Sequence, residues 1–415
     1  MIALELDIVE PLGRLTARPW ADEVTGMQID SRRIEEGDLF VAVGAGGSDF
    51  IAHALARGAA AALVPDDPHA ALAAIGGAVR DRSDARIVGL TGATGKTTTK
   101  DILAALCSPH RRTVASEGNY NNELGVPLTL ARIEPATEIC IVEMGMRGLG
   151  QIAWLASFAR PDVGLVTNVA PVHLELVGTV ENVARAKAEL IEAVPAGGTA
   201  VVPEEPLLEP YLTRTDIEIR RFTAPTEPGR FQVGDRTIRL ATSFSAPHQL
   251  RNTAAALTVC DVLGVPLPDG ETLEVAFSPL REEVIELPEG VTLINDCYNA
   301  NPASMRAALE HLGVLAGARR KVAVLGEMAE LGASAVELHR RVGEDVAAAG
   351  LGALVAVGPL AEGYGEPDGV EMRFAHDAAE AGEALAAIVR PGDVVLVKGS
   401  RAVGLEAVAA KLSGR

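Results

Sequence analysis

The sequence is poor in aromatic residues, and positive charge falls well short of negative charge. Aromatic side chains make up only 3% of the 415 residues, and alanine, valine, leucine and glycine fill their place. Small aliphatic side chains of this kind are typical of helices packed on parallel sheets. The formal net charge of −19 makes nucleic acid and anionic membranes unfavourable partners.

Cysteines and long apolar segments are also scarce. The four cysteines, at positions 107, 140, 260 and 297, do not have the spacing of a metal site, so we expect free buried thiols. The N-terminus lacks the basic region and apolar core of a signal peptide. No apolar run reaches the roughly 18 uncharged residues that a membrane span needs. We therefore expect a cytoplasmic protein with no membrane span.

The most informative segment of the chain is residues 86–99, where an apolar strand leads into a glycine-rich loop and a helix. Glycines let backbone N–H groups close around a phosphate, and the helix N-terminus adds partial positive charge. Lys96 would reach the β- and γ-phosphates, and the Thr97 hydroxyl would bind Mg²⁺. The predicted phosphate-binding residues are Gly92, Ala93, Thr94, Gly95, Lys96, Thr97 and Thr98. Leu90 stands where the usual pattern has a glycine, and the alternative is a glycine-rich turn capped by threonines.

The length and pattern of the chain predict an α/β protein of three domains, at residues 1–84, 85–280 and 281–415. The first is a small α/β domain, and the second has the parallel sheet of a P-loop ATPase. In the third, strands and helices alternate strictly, which predicts a Rossmann-like, doubly wound parallel sheet. No G-x-G-x-x-G pattern occurs there, so a dinucleotide cofactor is not indicated.

Polar residues follow several predicted strands of the second domain. Glu143 ends one apolar strand and His173 lies shortly after another, so both could meet a metal near Thr97. The alternatives are a solvated strand end and a loop histidine. Asn121 and Asn122 belong to a cluster of amides at residues 118–125, which could also be a simple turn. Lys187, by itself, has the pattern of an exposed helical lysine.

Two segments of the third domain place polar residues at strand ends. Asp296, Tyr298 and Asn299 follow its first strand, before a helix start at Asn301 and Pro302. Residues 398–401, Lys-Gly-Ser-Arg, follow its last strand and suit an anionic group. The alternative for the second segment is an ordinary strand-to-helix turn.

Together these motifs resemble the Mur ligase family of peptidoglycan synthesis over essentially the whole chain. Marks of the whole family are residues 91–99, Glu143, the loop from Asn168 to His173 and the Ala-Lys-Ala-Glu sequence around Lys187. Marks of the branch that adds D-alanyl-D-alanine are residues 118–125, 296–302, 326–332 and 398–401. Residues 30–42 look like a UDP-binding domain.

The resemblance implies an ATP-dependent ligase that joins D-alanyl-D-alanine to UDP-N-acetylmuramoyl-tripeptide through an acyl phosphate. It implies two Mg²⁺ ions, surrounded by Thr97, Glu143, His173 and a carbamylated Lys187, and it makes Lys96, Glu143, His173 and Lys187 the catalytic group. ATP would also contact Asn252, Arg281, Asp296, Tyr298 and Asn299. The substrates would contact Ser31 and Arg32 at the uridine end, and Asn121, Asn122, Lys398, Ser400 and Arg401 elsewhere.

The chain departs from the family pattern at two places. The loop after Val43 is short, and Leu280 precedes Arg281 where the family commonly has glycine. Alternatives with related chemistry are a MurE-type ligase that adds one amino acid and a folylpolyglutamate synthase. An alternative of another class is a P-loop regulatory NTPase, which would not need the outer domains. We expect a monomer.

Overall fold

The computed structural model describes residues 1–414, in which successive stretches of the chain build three α/β units. The first unit contains β1 (Leu4–Glu5), α1 (Leu6–Val9), β2 (Gly13–Ala17), β3 (Glu23–Val24), β4 (Gly26–Gln28), β5 (Asp38–Val41), α2 (Ile51–Ala56), β6 (Ala61–Pro65) and α3 (Pro68–Asp81). Its main sheet has the order β2-β6-β5-β4, and only β2 is antiparallel to its neighbour. Helix α3 begins where the sequence dictates, because Asp67 caps it and Pro68 occupies the first turn.

The second unit is a six-stranded parallel sheet followed by a small three-stranded one. Its elements are β7 (Arg86–Thr91), α4 (Lys96–Cys107), β8 (Thr113–Ala115), α5 (Gly125–Leu130), β9 (Ile139–Glu143), α6 (Gln151–Ala159), β10 (Val163–Val166), α7 (Leu174–Val177), α8 (Val180–Ala193), β11 (Thr199–Pro203), β12 (Glu218–Phe222), β13 (Arg230–Val233), β14 (Arg236–Thr242), α9 (Pro247–Leu263) and β15 (Glu271–Leu273). The large sheet has the order β12-β11-β10-β7-β9-β8. Since β7 lies between β9 and β10, the carboxyl ends of all three meet at one edge of the sheet.

The third unit is a six-stranded sheet with helices on both faces. Its elements are β16 (Glu283–Glu286), β17 (Thr292–Asp296), α10 (Pro302–Ala316), β18 (Lys321–Gly326), α11 (Ala335–Ala348), β19 (Ala353–Val357), β20 (Glu371–Ala375), α12 (Ala378–Ile388), β21 (Val394–Lys398) and α13 (Glu406–Ser413). The order is β16-β17-β21-β18-β19-β20, and β16 is antiparallel to β17. The prediction of strict alternation was therefore wrong at two edge strands, because neither β16 nor β20 is a buried apolar run.

The hydrophobic cores divide the molecule differently from the sheets. One continuous core includes Leu39 and Leu72 of the first unit together with Ile87 and Val142 of the second. The third unit has its own cores, one on each face of its sheet, with neighbouring strand residues such as Leu293 and Ile294 on opposite faces. The first two units are therefore packed as one body, and the third is a body with its own interior.

The four cysteines are buried and free, as expected from their spacing. Cys107 of α4 faces Cys260 of α9 with 3.9 Å between the Sγ atoms. Burial raises the pKa of Cys140 to about 12, which keeps that thiol protonated and unreactive. No helix within residues 1–414 combines the length and apolarity needed to cross a membrane.

Candidate active site

A large cleft, about 1280 Å³ in volume, is lined by residues of all three units. The phosphate loop, residues 92–98 after the carboxyl end of β7, contributes to this lining. Asp67 and His69 of the first unit reach one side of it, and Asp296 and Lys398 of the third unit reach the other. The cleft therefore lies where ligands bind in open α/β sheets, beyond the ends of the strands.

The phosphate loop depends on two glycines in unusual positions. Gly92 has φ of 155° and packs so closely on Thr167 that a Cβ atom would collide with its hydroxyl. Gly95 has φ of 74°, and a Cβ atom there would lie 2.8 Å from Nδ2 of Asn252. Helix α4 begins directly after Gly95, so its N-terminus points into the cleft.

Asn168, in the loop after β10, holds the phosphate loop. Its Oδ1 accepts hydrogen bonds from the backbone N–H groups of Ala93 (3.1 Å) and Thr94 (2.9 Å). Its Nδ2 donates to the Thr94 hydroxyl at 2.6 Å. No role was predicted for Asn168. The sequence signal that could have found it is a polar residue two positions after a buried strand.

Lys96 is half-buried in the loop. Its Nζ donates a hydrogen bond to the Gly92 carbonyl at 2.9 Å. Burial lowers the pKa of Lys96, and the nearby Glu143 carboxylate opposes this. The Lys96 ammonium therefore lies against the loop backbone, and a bound phosphate would compete with the Gly92 carbonyl for it.

Thr97 and Glu143 each bury one oxygen atom that has no hydrogen-bond partner. Thr97 is 1% exposed, and its Oγ1 is unpaired. Glu143, at the end of β9, is completely buried. Its Oε1 accepts from Asn121 Nδ2 at 2.7 Å, while its Oε2 is unpaired. Buried polar atoms normally have partners, so two unpaired hard oxygens in one cleft fit a Mg²⁺ ion.

These oxygens do not make a complete protein cage for a metal. Within residues 1–414 no group of three or more histidine, cysteine, aspartate or glutamate side chains is placed to hold an ion. Magnesium commonly keeps water and substrate phosphates among its ligands, so a partial set of protein oxygens is sufficient.

Lys187 is buried, although its sequence context favoured an exposed position. It lies on the inner face of α8 and is 1% exposed. Burial lowers its pKa well below the usual value, and Lys96 lowers it further. A neutral amine in this position is a nucleophile, which is the form that reacts with carbon dioxide.

The side chain of His173, in the second unit, contacts the third unit. Its backbone is left-handed, with φ of 53°, and its Nδ1 lies 2.5 Å from Oε2 of Glu330. Burial lowers the pKa of His173, Glu330 opposes the change, and Lys96 and Lys187 add to it. The imidazole is therefore near both lysines but is held by a carboxylate of the third unit.

Asn121 and Asn122 divide their tasks. Asn121 holds the Glu143 carboxylate, as described above. Asn122 accepts hydrogen bonds from the backbone N–H groups of Leu124 (3.3 Å) and Gly125 (3.0 Å) at the start of α5. Both line the cleft, but Asn122 also serves the turn that the sequence left open as an alternative.

Asp296 and Lys398 form a buried ion pair on neighbouring strands. They are register partners at the ends of β17 and β21, with 2.6 Å between Lys398 Nζ and Asp296 Oδ2. Lys398 also donates to the Asn299 carbonyl at 2.9 Å. Burial raises the pKa of Asp296, and Lys398 opposes this. Asn299 itself is exposed and points its Oδ1 back to the Ala300 N–H.

Five other predicted residues line the same cleft. Arg281 stacks over the Tyr298 ring at 4.0 Å, and Asn252 lies against Gly95. Ser400 is buried and accepts from the Ala329 N–H at 2.8 Å, which ties two loops of the third unit together. Arg401 is exposed at the rim, 3.3 Å from Glu406.

Ser31 and Arg32 are not among the residues that line this cleft. Ser31 is buried and pairs with Nδ1 of His53 at 2.9 Å. Arg32 is 83% exposed on its side chain and forms a two-bond pair with Asp30. The cleft therefore brings together most of the candidate nucleotide residues with Thr97, Glu143 and His173. Lys187 is not among its lining residues, and Ser31 and Arg32 lie on another part of the first unit.

Comparison with known proteins gives two family matches along the chain. The family described as "Mur ligase middle domain" matches residues 90–260, and that described as "Mur ligase, glutamate ligase domain" matches residues 280–401. A Synechocystis relative named UDP-N-acetylmuramoyl-tripeptide–D-alanyl-D-alanine ligase is 34% identical over 414 residues. The alignment covers 92% of this chain and 90% of the relative.

Two solved structures have the same architecture. MurF from Acinetobacter baumannii matches with a TM-score of 0.85 and 27% identity, covering 100% of this chain and 99% of that one. MurF ligase from Thermotoga maritima in complex with ADP matches with a TM-score of 0.79 and 30% identity, covering 94% and 97%. The likeness therefore extends over all three units.

Proposed function

The chain belongs to the Mur ligase family, and we propose that it acts as a MurF-type enzyme that joins D-alanyl-D-alanine to UDP-N-acetylmuramoyl-tripeptide in peptidoglycan precursor synthesis. The reaction forms a C–N bond at the expense of ATP. The relatives that match nearly the whole chain carry this activity in their names, and one matching structure holds ADP.

The observation that carries the proposal is that two buried oxygen atoms beside the phosphate loop have no hydrogen-bond partner. Oγ1 of Thr97 and Oε2 of Glu143 lie in the cleft that Lys96 and the N-terminus of α4 also line. Cations and backbone N–H groups would hold the nucleotide phosphates there, and the two oxygens fit a metal.

We propose Thr97, Glu143, His173 and carbamylated Lys187 as the residues that surround Mg²⁺. When bound, Mg²⁺ neutralises the phosphate charge that grows during transfer. Carbamylation joins the neutral amine of Lys187 to carbon dioxide with loss of one proton, which turns a buried amine into an anionic oxygen ligand. The lowered pKa of Lys187 supports this step, because only the neutral amine reacts.

The proposed reaction has two steps. The terminal carboxylate of the tripeptide attacks the γ-phosphorus of ATP, and ADP leaves, giving an acyl phosphate. The amine of D-alanyl-D-alanine then attacks the acyl carbon, and phosphate leaves with loss of a proton. The positive charge of Lys96 stabilises the phosphate during its transfer. Asn121 keeps the Glu143 carboxylate in place by a hydrogen bond.

Three regions supply the substrate contacts in this proposal. ATP extends from the phosphate loop toward Asn252, Arg281, Asp296, Tyr298 and Asn299. Lys398, Ser400 and Arg401 hold the dipeptide, with Arg401 as the exposed cation that meets its carboxylate, because Lys398 is already paired with Asp296. Asn121 and Asn122 adjoin the tripeptide.

The division of labour among domains is also a proposal. Residues 1–84 bind the UDP end through Ser31 and Arg32, residues 85–280 carry ATP and the chemistry, and residues 281–415 bind the dipeptide. We further propose that the enzyme works as a monomer in the cytoplasm, where its nucleotide-linked substrate is made.

ADP release tests the proposal directly. The protein is incubated with ATP, Mg²⁺ and UDP-N-acetylmuramoyl-tripeptide, and either D-alanyl-D-alanine or single amino acids are added. We expect ADP release only with the dipeptide. Equal release with one amino acid would favour a MurE-type ligase, and steady release without either co-substrate would favour a regulatory NTPase.

A further inference from the structure

The chain passes from the second unit to the third through a turn whose backbone conformation is unfavourable for residues other than glycine. Leu280 and Glu282 have φ of 62° and 54°, and neither is glycine. Left-handed backbone at residues with a Cβ atom is unfavourable and persists only where the surroundings enforce it. Arg281, which lines the cleft, lies between the two.

Two contacts enforce this turn, one from each side. Oε1 of Glu282 lies 2.5 Å from Nε2 of His248 in the first turn of α9, and the Glu282 side chain is only 10% exposed. On the other side, the Leu280 carbonyl accepts a hydrogen bond from the Tyr298 N–H at 3.2 Å. The turn is therefore fixed to a helix of the second unit and to a loop of the third.

The charge environment keeps Glu282 ionised. Burial raises its pKa, but His248 outweighs burial, with help from His311 of α10 and Lys398 of β21, so the pKa lies below its ordinary value. Asp296 is the acidic group that faces it. A carboxylate buried among these groups is costly to leave without its histidine.

Helix α9 connects this turn to the phosphate loop. His248 and Asn252 are one helical turn apart, so they lie on the same face of α9. Asn252 lies against Gly95, while His248 holds Glu282. One helix face therefore contacts both the loop that binds phosphate and the turn that carries Arg281.

We propose that His248 and Glu282 are positioning residues that fix Arg281 against Tyr298 and toward the transferred phosphate. The inference rests on the proposed function and deepens it. Neither residue needs to touch a substrate, because the pair acts by setting the backbone on which the Arg281 guanidinium is mounted. Loss of the pair leaves Arg281 present but misplaced.

The first test is the split between kcat and KM in Glu282→Ala. A misplacement of about 1 Å at a reacting group can cost about 100-fold in rate, so we expect kcat to fall roughly 10- to 100-fold. The KM for D-alanyl-D-alanine should stay within about 2-fold. The matched control is Asp393→Asn, which breaks a buried pair with Arg320 (2.9 Å) outside the cleft and should lower the melting temperature without changing kcat.

The decisive test is the double variant Arg281→Ala/Glu282→Ala. If Glu282 acts through Arg281, the double variant is no slower than Arg281→Ala alone. Multiplied effects would overturn the proposal, as would wild-type kcat in Glu282→Ala. Should Glu282→Ala fail to fold, His248→Gln enters the same cycle with the same two outcomes. Absence of ligation by the wild-type protein would instead contradict the proposed function.

Discussion

At the scale of single residues, the site is marked by polar atoms that the fold buries and leaves without partners. Thr97 Oγ1 and Glu143 Oε2 are such atoms, and both lie within the cleft. A buried oxygen without a hydrogen bond costs free energy, on the order of 1–3 kcal/mol. In the proposed function, a bound Mg²⁺ ion would supply the missing interaction of these two oxygens.

Lys187 shows how far a single residue can be interpreted from sequence. Its neighbours in the chain are those of any helical lysine, and only the family resemblance singled it out. Its burial comes from the packing of α8 against the sheet, which depends on residues distant in the chain. The phosphate loop was easier to predict, because its strand, glycines, lysine and threonines are contiguous.

Replacing Lys96 by alanine should abolish most activity and leave the fold intact. In the proposed mechanism, Lys96 supplies the charge that stabilises the transferred phosphate, and such a contribution is worth about 100-fold or more in kcat. Steady-state ADP release measures the loss. The control is Lys411→Ala, an exposed lysine of α13, which should retain wild-type kcat. Near-normal turnover of Lys96→Ala would refute the phosphate-loop assignment.

Lys187→Ala should be severely impaired in ligation. Removing a fully buried lysine side chain leaves a cavity, so the melting temperature should fall as well, and rescue by an added acid separates loss of the carbamate from loss of stability. A short carboxylic acid in the buffer should partly restore activity by replacing the carbamate, and it should not stimulate the wild-type protein. Activity equal to wild type without added acid would show that the carbamate role does not apply.

Arg401→Ala should raise the KM for D-alanyl-D-alanine roughly 10- to 100-fold, since charge-assisted hydrogen bonds to a carboxylate are worth about 1.5–3 kcal/mol. The KM for ATP should change less. Arg390→Ala removes an exposed arginine outside the cleft and serves as the control. A variant with weakened ATP and unchanged dipeptide kinetics would assign Arg401 to the nucleotide site.

At the scale of elements, the strand ends that meet at the cleft were the most predictable part of the fold. Strands β7, β9, β17 and β21 are buried apolar runs that end in polar residues, and β10 is a buried apolar run that ends at Val166. Each was expected. Strands β16 and β20 were not expected, because edge strands alternate or mix polar side chains. The turn at Glu282 was also not expected, since its partner His248 is 34 residues away in sequence.

Helix α10 offers a test of local sequence signals. Asn301 caps it by accepting from the Ser304 N–H at 3.0 Å, and the Ser304 hydroxyl accepts from the Asn301 N–H at 3.0 Å in return. Asn301→Ala should lower the free energy of unfolding by about 1 kcal/mol. Chemical denaturation measures it. Asn301→Ser should recover most of the loss, and equal loss in both variants would contradict the capping role.

At the scale of the whole molecule, the proposed nucleotide site lies between two bodies with separate cores. An ATP analogue bound with Mg²⁺ should therefore slow amide hydrogen exchange on both sides of the cleft, in residues 92–99 and in residues 280–282 and 298–301. Residues 353–357 of β19, outside the cleft, should be unaffected. Protection confined to residues 92–99 would mean that the third unit does not contribute to the nucleotide site.

The three units are also consecutive along the chain, with one passage from the second to the third. In evolutionary terms, a single recombination point near residue 280 could exchange the whole third unit and keep the phosphate loop unaltered. Under the proposed function, the incoming unit would have to supply counterparts of Arg281 and Glu282 and of the Asp296–Lys398 ion pair, but its contacts to the amine acceptor would be free to differ. The first unit has no such freedom, because its core is continuous with that of the second. Diversification of the amine acceptor is therefore easier for this architecture than diversification of the body that combines the first two units.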